Sequence, residues 1–431
     1  MSFHLFSSNH VIDIPKGKKT NEVFDPFTYE PKCVYVPITD NNRQYLDKVL
    51  RINDVVKKGK VIGREKVTNF PYYSPISGRI KEIVEMPFSD FTFRECYKIE
   101  NDYLSEWDLE SELTNPDSYS RGDIYNFIKN SGIVERDSNF KPIYKLFEPE
   151  FNIHTLIINA IEYNPYLGVE NLFTANNIDY IYYVIPFLKR LSGINRFIIC
   201  INPSQKVLES KIIASKKSYN DISFEIKKVD DAYPSFNSRN LVRNFSKERY
   251  NLVPQEIGYS VISLFSLEML GRFLFEGKRP DLFCYDLVGE VKNPTFVIAP
   301  FGILASNIVN IIGQGTTYNE DNLLYLESDP ISGLPHSNLN YILFPSSKGI
   351  IVTNKYKKKV YSCINCGRCI DVCPSDLIPV KIYKCSKKNS IKKLEKLDIN
   401  KCSGCGNCSY VCPSNLELTS TCVNAKLKLK D

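Results

Sequence analysis

The sequence predicts a multidomain α/β and α+β chain: a small β sandwich, a parallel α/β domain, a short β-rich domain and a C-terminal module built on cysteine runs. Three observations predict it. Over residues about 31–100, apolar and polar residues alternate between turn signals, the period of strands with one buried face. Over about 120–250, helical stretches alternate with wholly apolar strands, as in a parallel sheet covered on both faces. Eight of the fourteen cysteines fall near the C-terminus in two copies of one spacing. The divisions expected are 1–115, 116–255, 256–350 and 351–431.

Residues 1–30 read as irregular, because Pro15 and Pro26, with Pro31 just beyond, interrupt any helix. The stretch Val49 to Gly63 reads as strand, turn, strand, and Tyr72 to Ile80 as a further turn and strand. Together they resemble the halves of a barrel-sandwich hybrid of the biotinyl/lipoyl type. The stretch between them, Arg64 to Phe70, lacks an attachment tripeptide, so a structural domain is expected.

Asp123 to Asn130 fits a short helix. Thr155 to Asn159 reads as a buried strand, Asn177 to Leu191 as a long helix, and Arg196 to Ile201 as a second buried strand. In such sheets ligands sit beyond the carboxyl ends of the strands, where the loop Asn159 to Tyr166 lies. Ile257 to Phe275 carries Glu268 and Arg272 and reads as an amphipathic helix. Val288 to Pro294 looks like a strand entering a turn, and Ile303 to Ile312 like a helix.

Cys363, Cys366, Cys369 and Cys373 precede Pro374, and Cys402, Cys405, Cys408 and Cys412 precede Pro413. This C-x2-C-x2-C-x3-C-P run, twice over, is the signature of a bacterial two-cluster ferredoxin module, whose fourth cysteine serves the other cluster. Two [4Fe–4S] clusters are expected. The first falls to Cys363, Cys366, Cys369 and Cys412, and the second to Cys402, Cys405, Cys408 and Cys373. Zinc sites usually pair two cysteines with a distant second pair, and a chain of this length needs no covalent staples. Gly367, Gly404 and Gly406 are expected to turn amides toward cluster sulfurs. Cys385 and Cys422 read as buried small hydrophobes, and Cys33, Cys96, Cys200 and Cys284 as core thiols.

Composition narrows the classes. The chain has 431 residues and 43% hydrophobic content, enough for two or three packed domains. No segment is long and apolar enough to span a bilayer, and no signal peptide is visible, so a cytoplasmic, peripheral protein is expected. Residues 354–431 hold 16 Lys and Arg against 6 Asp and Glu, a net of +10, while the rest sums to −4. That basic field offsets the negative charge of thiolate-bound clusters and suits an acidic electron donor. No module that reads nucleic acid accompanies it, so nucleic acid is not expected as a partner. No Ser/His/Asp triad or P-loop is present, and His4, His10, His154 and His336 show no ligand spacing.

The order of these parts, and the wording within them, resembles the C subunit of the Rnf-type ion-translocating electron-transport complex (RnfC). The likeness is carried by Asn53 to Gly63, by Leu156 to Tyr166, by Gly289-Glu290-Val291-Lys292-Asn293-Pro294, and by the two cysteine runs, Cys408-Ser409-Tyr410-Val411-Cys412-Pro413-Ser414 above all. The resemblance implies a β-grasp (SLBB-like) domain near 280–345. It also implies membrane subunits and a ferredoxin-type donor or acceptor as partners, and a place on the inner face of the cell membrane. Electrons would pass between those partners through the clusters. The cobalamin reductases share this layout, so a soluble flavin-dependent reductase is the alternative. A binding protein with structural clusters is a third class.

The resemblance further implies FMN and NADH, but the residues depart from it. The family loop reads Gly-Ile-Val-Gly-Leu-Gly-Gly-Ala-Gly-Phe-Pro, whereas this chain has Gly132-Ile133-Val134-Glu135-Arg136-Asp137-Ser138-Asn139-Phe140-Lys141-Pro142. Side chains replace every inner glycine, so the backbone loses its close approach to a nucleotide, and Glu135 and Asp137 would repel phosphate. The family stretch Asn-Gly-Ala-Glu-Cys-Glu-Pro-Tyr becomes Asn159, Ala160, Ile161, Glu162, Tyr163, Asn164, Pro165 and Tyr166. Asn159 and Glu162 remain as the candidate flavin/NADH-binding residues, or as loop-closing hydrogen-bond groups. Weak or no binding of FMN and NADH is the expectation.

Overall fold

Thr155–Asn159 is buried along its whole length, as five consecutive Thr, Leu, Ile, Ile and Asn residues require. It pairs in parallel with Arg196–Ile201 on one side and Tyr259–Ser263 on the other. Glu225–Lys228 adds a fourth parallel strand at the edge. One face packs under Asp179–Ser192 and Leu264–Glu276. Where these two helices meet, a Cβ on Gly271 would stand 2.1 Å from the Tyr180 carbonyl oxygen, so only glycine permits the approach. The other face covers Leu241 and Val242 of Ser238–Phe245 with Ile157, Ile198 and Val261. The computed structural model describes residues 26–429 except 41–42, 49, 137–140, 163, 165, 217–223, 230–232, 235–236, 247–252, 318–321, 334 and 356–357. The irregular reading of 1–30 therefore lies almost wholly outside the described residues.

Ahead of this sheet stand two small antiparallel sheets. One runs Cys33–Pro37, Phe93–Asn101, Gly78–Pro87, Val55–Val56, and the other Asp47–Lys48, Val61–Arg64, Pro71–Tyr73. Alternation drives Val34, Val36 and Ile80 inward, and they join the core that holds Ile62, Phe70 and Ile99. A six-stranded mixed sheet follows, in the order Phe27–Thr28, Thr295–Pro300, Leu282–Gly289, Gly349–Asn354, Leu323–Glu327, Pro335–His336. Its first strand comes from the N-terminal region, so residues 27 and 28 are tied to a sheet otherwise built after residue 280.

Three elements differ from the sequence reading. The stretch Ile257 to Phe275 is not one amphipathic helix: Tyr259–Ser263 is the buried edge of the parallel sheet, and the helix spans Leu264–Glu276. A buried strand and a buried helix have the same apolar density, and here the Ser263 side chain marks the boundary by capping Ser266 N–H. The helix is buried nearly all round, with Glu268 paired to Arg272 at 2.9 Å. The helix expected at Asn177 to Leu191 is Asp179–Ser192, but a further helix absent from the sequence reading, Val169–Asn176, precedes it. The segment near Ile303 to Ile312 closes as a π-helix over Asn307–Ile312. Among the described residues, no helix is long and apolar enough to cross a membrane.

Candidate iron–sulfur centres and a cleft at the parallel sheet

The C-terminal module repeats one design. Gly367 and Gly406, at φ of +82° and +88°, each start a four-residue helix, Arg368–Asp371 and Asn407–Tyr410. Longer helices, Pro379–Lys387 and Leu418–Leu427, pack against each other behind them. Cys363, Cys366, Cys369 and Cys412 line one space, of about 350 Å³. Cys373, Cys402, Cys405 and Cys408 line another, of about 340 Å³. Cys412 thus stands with the first run and Cys373 with the second.

Backbone amides point at these sulfurs: Asn365 N–H donates to Cys363 Sγ at 3.4 Å and Leu377 N–H to Cys373 Sγ at 3.3 Å. Burial pushes the Cys405 and Cys408 thiols up to about 11 and 12, while the Cys422 thiol beside Cys402 lowers that group. Among the described residues, no three His, Cys, Asp or Glu side chains surround a single metal ion's position. Cubane ligands each bind a different iron and stand around the cluster's volume, so four cysteines about a space of this size fit a cubane.

The second space faces the body of the protein. Tyr233 Oη donates to the Cys405 carbonyl at 2.6 Å, and Arg239 to the Lys401 carbonyl at 3.2 Å. Arg243 donates to the Pro374 carbonyl at 2.8 Å and to Asp376 at 2.9 Å. Gly406 lies against Ile331, and a Cβ there would stand 2.3 Å from that side chain. The first space is more open: Cys366 is exposed and Ile364, at its rim, is 65% exposed.

A cleft with about 480 Å³ of empty space lies at the carboxyl ends of the parallel strands. Asn159, Glu162, Asn164, Glu170, Ser263, Asp286 and Lys348 are among its lining. Asn159 and Glu162 are therefore together. Asn159 Oδ1 accepts Ile161 N–H at 3.2 Å, which closes the loop. Asn164 accepts Tyr166 and Leu167 N–H and donates to the Ser328 carbonyl at 2.6 Å. Asp286 accepts Gly168 N–H at 2.8 Å, and Lys348 stands 3.5 Å from Glu170.

Glu135 and Arg136 fold inward beside this cleft. Glu135 accepts Ser263 N–H at the start of Leu264–Glu276 and the Ser266 hydroxyl at 3.3 Å. Arg136 donates to the Pro345 and Cys284 carbonyls and to Glu170 at 3.3 Å, among Phe265, Phe283 and Tyr285. The expected repulsion of phosphate by an outward-facing Glu135 is thus corrected: the carboxylate is buried, held by a helix N-terminus. Asp137 lies outside the described residues. Sequence reasoning missed Glu170, just past the loop, and Asp286 and Lys348, which reach the cleft from distant segments that no local spacing marks. It also read Cys422 only as a small hydrophobe, though it lines the second cysteine space.

Two cysteine-lined spaces on one basic module make the chain an iron–sulfur electron-transfer protein. Residues 362–416 match the 4Fe–4S dicluster domain family and residues 12–103 the RnfC barrel sandwich hybrid domain family. The chain is 26% identical to the C subunit of the ion-translocating oxidoreductase complex of Buchnera aphidicola subsp. Acyrthosiphon pisum, over 78% of this chain and 71% of that one. It is 23% identical to the C subunit of the proton-translocating ferredoxin:NAD(+) oxidoreductase complex of Clostridium ljungdahlii, over 81% of this chain and 77% of that one. It overlays on NAD+-reducing [NiFe]-hydrogenase with a TM-score of 0.49 and 15% identity, over 72% of this chain and 57% of the other, a likeness too low to carry an argument. The resemblance to the C subunit of the Rnf-type electron-transport complex is borne out.

Proposed function

We propose that this chain is the iron–sulfur electron-transfer subunit of a membrane-associated Rnf-like complex and passes electrons between protein partners. Cys363, Cys366, Cys369 and Cys412 hold one [4Fe–4S] cluster, and Cys402, Cys405, Cys408 and Cys373 the other. The clusters supply one-electron storage. The protein supplies thiolates, amide donors and a basic surface, and presses the second cluster's ligand loop onto Ser238–Phe245. The observation that carries this reading is the gathering of the two runs into two separate thiol quartets with one cysteine exchanged.

The four-part division belongs to the same reading, with the second boundary after Glu276 and not at 255, because Tyr259–Ser263 pairs with Thr155–Asn159, and the third after Asn354 and not at 350, because Gly349–Asn354 pairs with Leu282–Gly289. The parallel pairing of Leu282–Gly289 with Gly349–Asn354 in a mixed sheet supports a β-grasp, SLBB-like domain there. Membrane subunits and a ferredoxin-type donor or acceptor are the partners, and the inner face of the cell membrane the location. FMN and NADH bind weakly or not at all. Glu135 and Arg136 fill the backbone approach that bare glycines would leave open, and the Asn159 side chain serves the loop before any nucleotide.

Replacing Cys373 with Ser tests the ligand exchange. Low-temperature EPR of the reduced protein should lose the signal of the cluster held by Cys402, Cys405 and Cys408 and keep the other. Loss of the cluster nearest in sequence would overturn the crossed assignment, and clusters that do not cycle between oxidised and reduced forms would overturn electron transfer.

A further inference from the structure

The two halves of the module are related position by position, and the relation exposes a difference between them. Seven and ten residues after Cys373 stand Val380 and Tyr383, and at the same offsets after Cys412 stand Thr419 and Cys422. The residue after Cys369 is Ile370, and the residue after Cys408 is Ser409. One half thus carries Ile, Val and Tyr where the other carries Ser, Thr and Cys.

The three polar groups gather at ligand sulfurs, and one of them lies within hydrogen-bonding distance of a sulfur. Ser409 Oγ accepts Thr419 N–H at 2.9 Å and donates its own proton to Thr419 Oγ1 at 2.9 Å. Thr419 Oγ1 lies 3.3 Å from Cys408 Sγ. A cluster ligand is a thiolate and can only accept, and Ser409 already supplies the hydroxyl oxygen with a proton. The hydroxyl hydrogen of Thr419 is therefore directed at Cys408 Sγ. Cys422 is 2% exposed, lines the same space and packs in the same cluster as Cys402. Lys426 Nζ is bound to the Cys402 carbonyl at 2.9 Å. In the first half, Val380 has no side-chain donor, and Tyr383 packs with Cys369, Leu416 and Leu418.

Resting on the two-cluster reading, we infer that Thr419, oriented by Ser409, and Cys422 donate hydrogen bonds to ligand sulfurs of the second cluster and set its reduction potential above that of the first. Reduction adds negative charge that spreads onto the sulfurs, so donors aimed at them favour the reduced state. Water acts in the same sense at the first cluster, whose Cys366 is exposed. The side-chain donors act in a drier site, where each hydrogen bond is electrostatically stronger, and they decide the order. A single electron on the module then rests on the second cluster, against the body, and the first, open cluster is the port. These are positioning residues: they touch the ligands and do not bind iron.

Iron and sulfide analysis of anaerobically prepared protein tests the two-cluster reading by itself. Redox titration followed by EPR then tests the inference. Two separate one-electron steps are expected. Thr419→Val and Cys422→Ala should each lower only the higher step, roughly threefold to tenfold in the reduction equilibrium, tenfold being about 59 mV for a one-electron couple. Cys422→Ser keeps a donor and should shift it less. The inference is overturned by coincident steps in the parent protein, by movement of the lower step instead, or by no movement at full iron content. If those variants lose iron, the pair Ile370→Ser with Val380→Thr is the measure. It transplants the relay to the first cluster and should raise the lower step, and an unchanged step there contradicts the inference equally.

Discussion

Glu135 holds the backbone N–H of Ser263 with both carboxylate oxygens, at 3.1 and 3.3 Å, where the last parallel strand turns into the helix Leu264–Glu276. A helix N-terminus of this kind is a ready anion site, and here the chain's own carboxylate fills it. The neighbouring Arg136 fills the space behind. Residues that replace a bare glycine turn have become part of the interior.

The first prediction concerns flavin. Protein purified anaerobically and then denatured should release far less than one flavin per chain, and titration with FMN or NADH should give weak binding or none. Stoichiometric flavin, or NADH that reduces the clusters, would return the chain to a nucleotide-binding mechanism. Glu135→Ala should not restore binding, because Arg136 remains, and should cost about 1 kcal/mol as a lost cap, read as a lower unfolding temperature.

Arg136 is the more costly residue to lose. Its side chain is 1% exposed, and it joins two carbonyls and Glu170 across three segments. Arg136→Met should destabilise the body by about 3 kcal/mol, since the buried acceptors lose their donor. Hydrogen exchange should report faster opening of Leu282–Gly289, from which the Cys284 carbonyl projects. Unchanged exchange there would show that the guanidinium holds nothing together.

Gly406 should tolerate no side chain. Its φ of +88° and the 2.3 Å separation of an added Cβ from Ile331 both oppose one. Gly406→Ala should lower occupancy of the second cluster while leaving the first, seen as iron content falling toward half. Full iron in the alanine variant would mean that the loop and Ile331 shift freely.

Glu268 gives the fold a pH dependence. Burial raises its carboxyl to about 7 from 4.5, opposed by Arg272. Between those values the folded state holds a proton that the unfolded state has released, so stability falls as pH rises through that window. The loss is on the order of 3 kcal/mol when complete. Unfolding temperatures measured at pH 5 and pH 8 should differ less in Glu268→Gln than in the parent protein. An equal difference would place the dependence elsewhere.

The cysteine spacing made the C-terminal module legible, because four ligands in a short run constrain one another locally. Thr155–Asn159 and Arg196–Ile201 were legible because a strand buried on both faces must be continuously apolar. The boundary at Ser263 was not, since Tyr259–Ser263 and Leu264–Glu276 form one apolar run split by a cap that only pairing with Thr155–Asn159 reveals. Nor could spacing show that Glu135 turns inward, because its partners Ser263 and Ser266 lie more than a hundred residues away. Cys422 escaped for the same reason: a cysteine outside the motif reads as a core residue until its neighbour Cys402 is seen.

Iron and acid-labile sulfide per chain, measured on anaerobically purified protein, test the central claim most directly. The account predicts about eight of each, the content of two cubanes. A value near four, or zinc in place of iron, would contradict it.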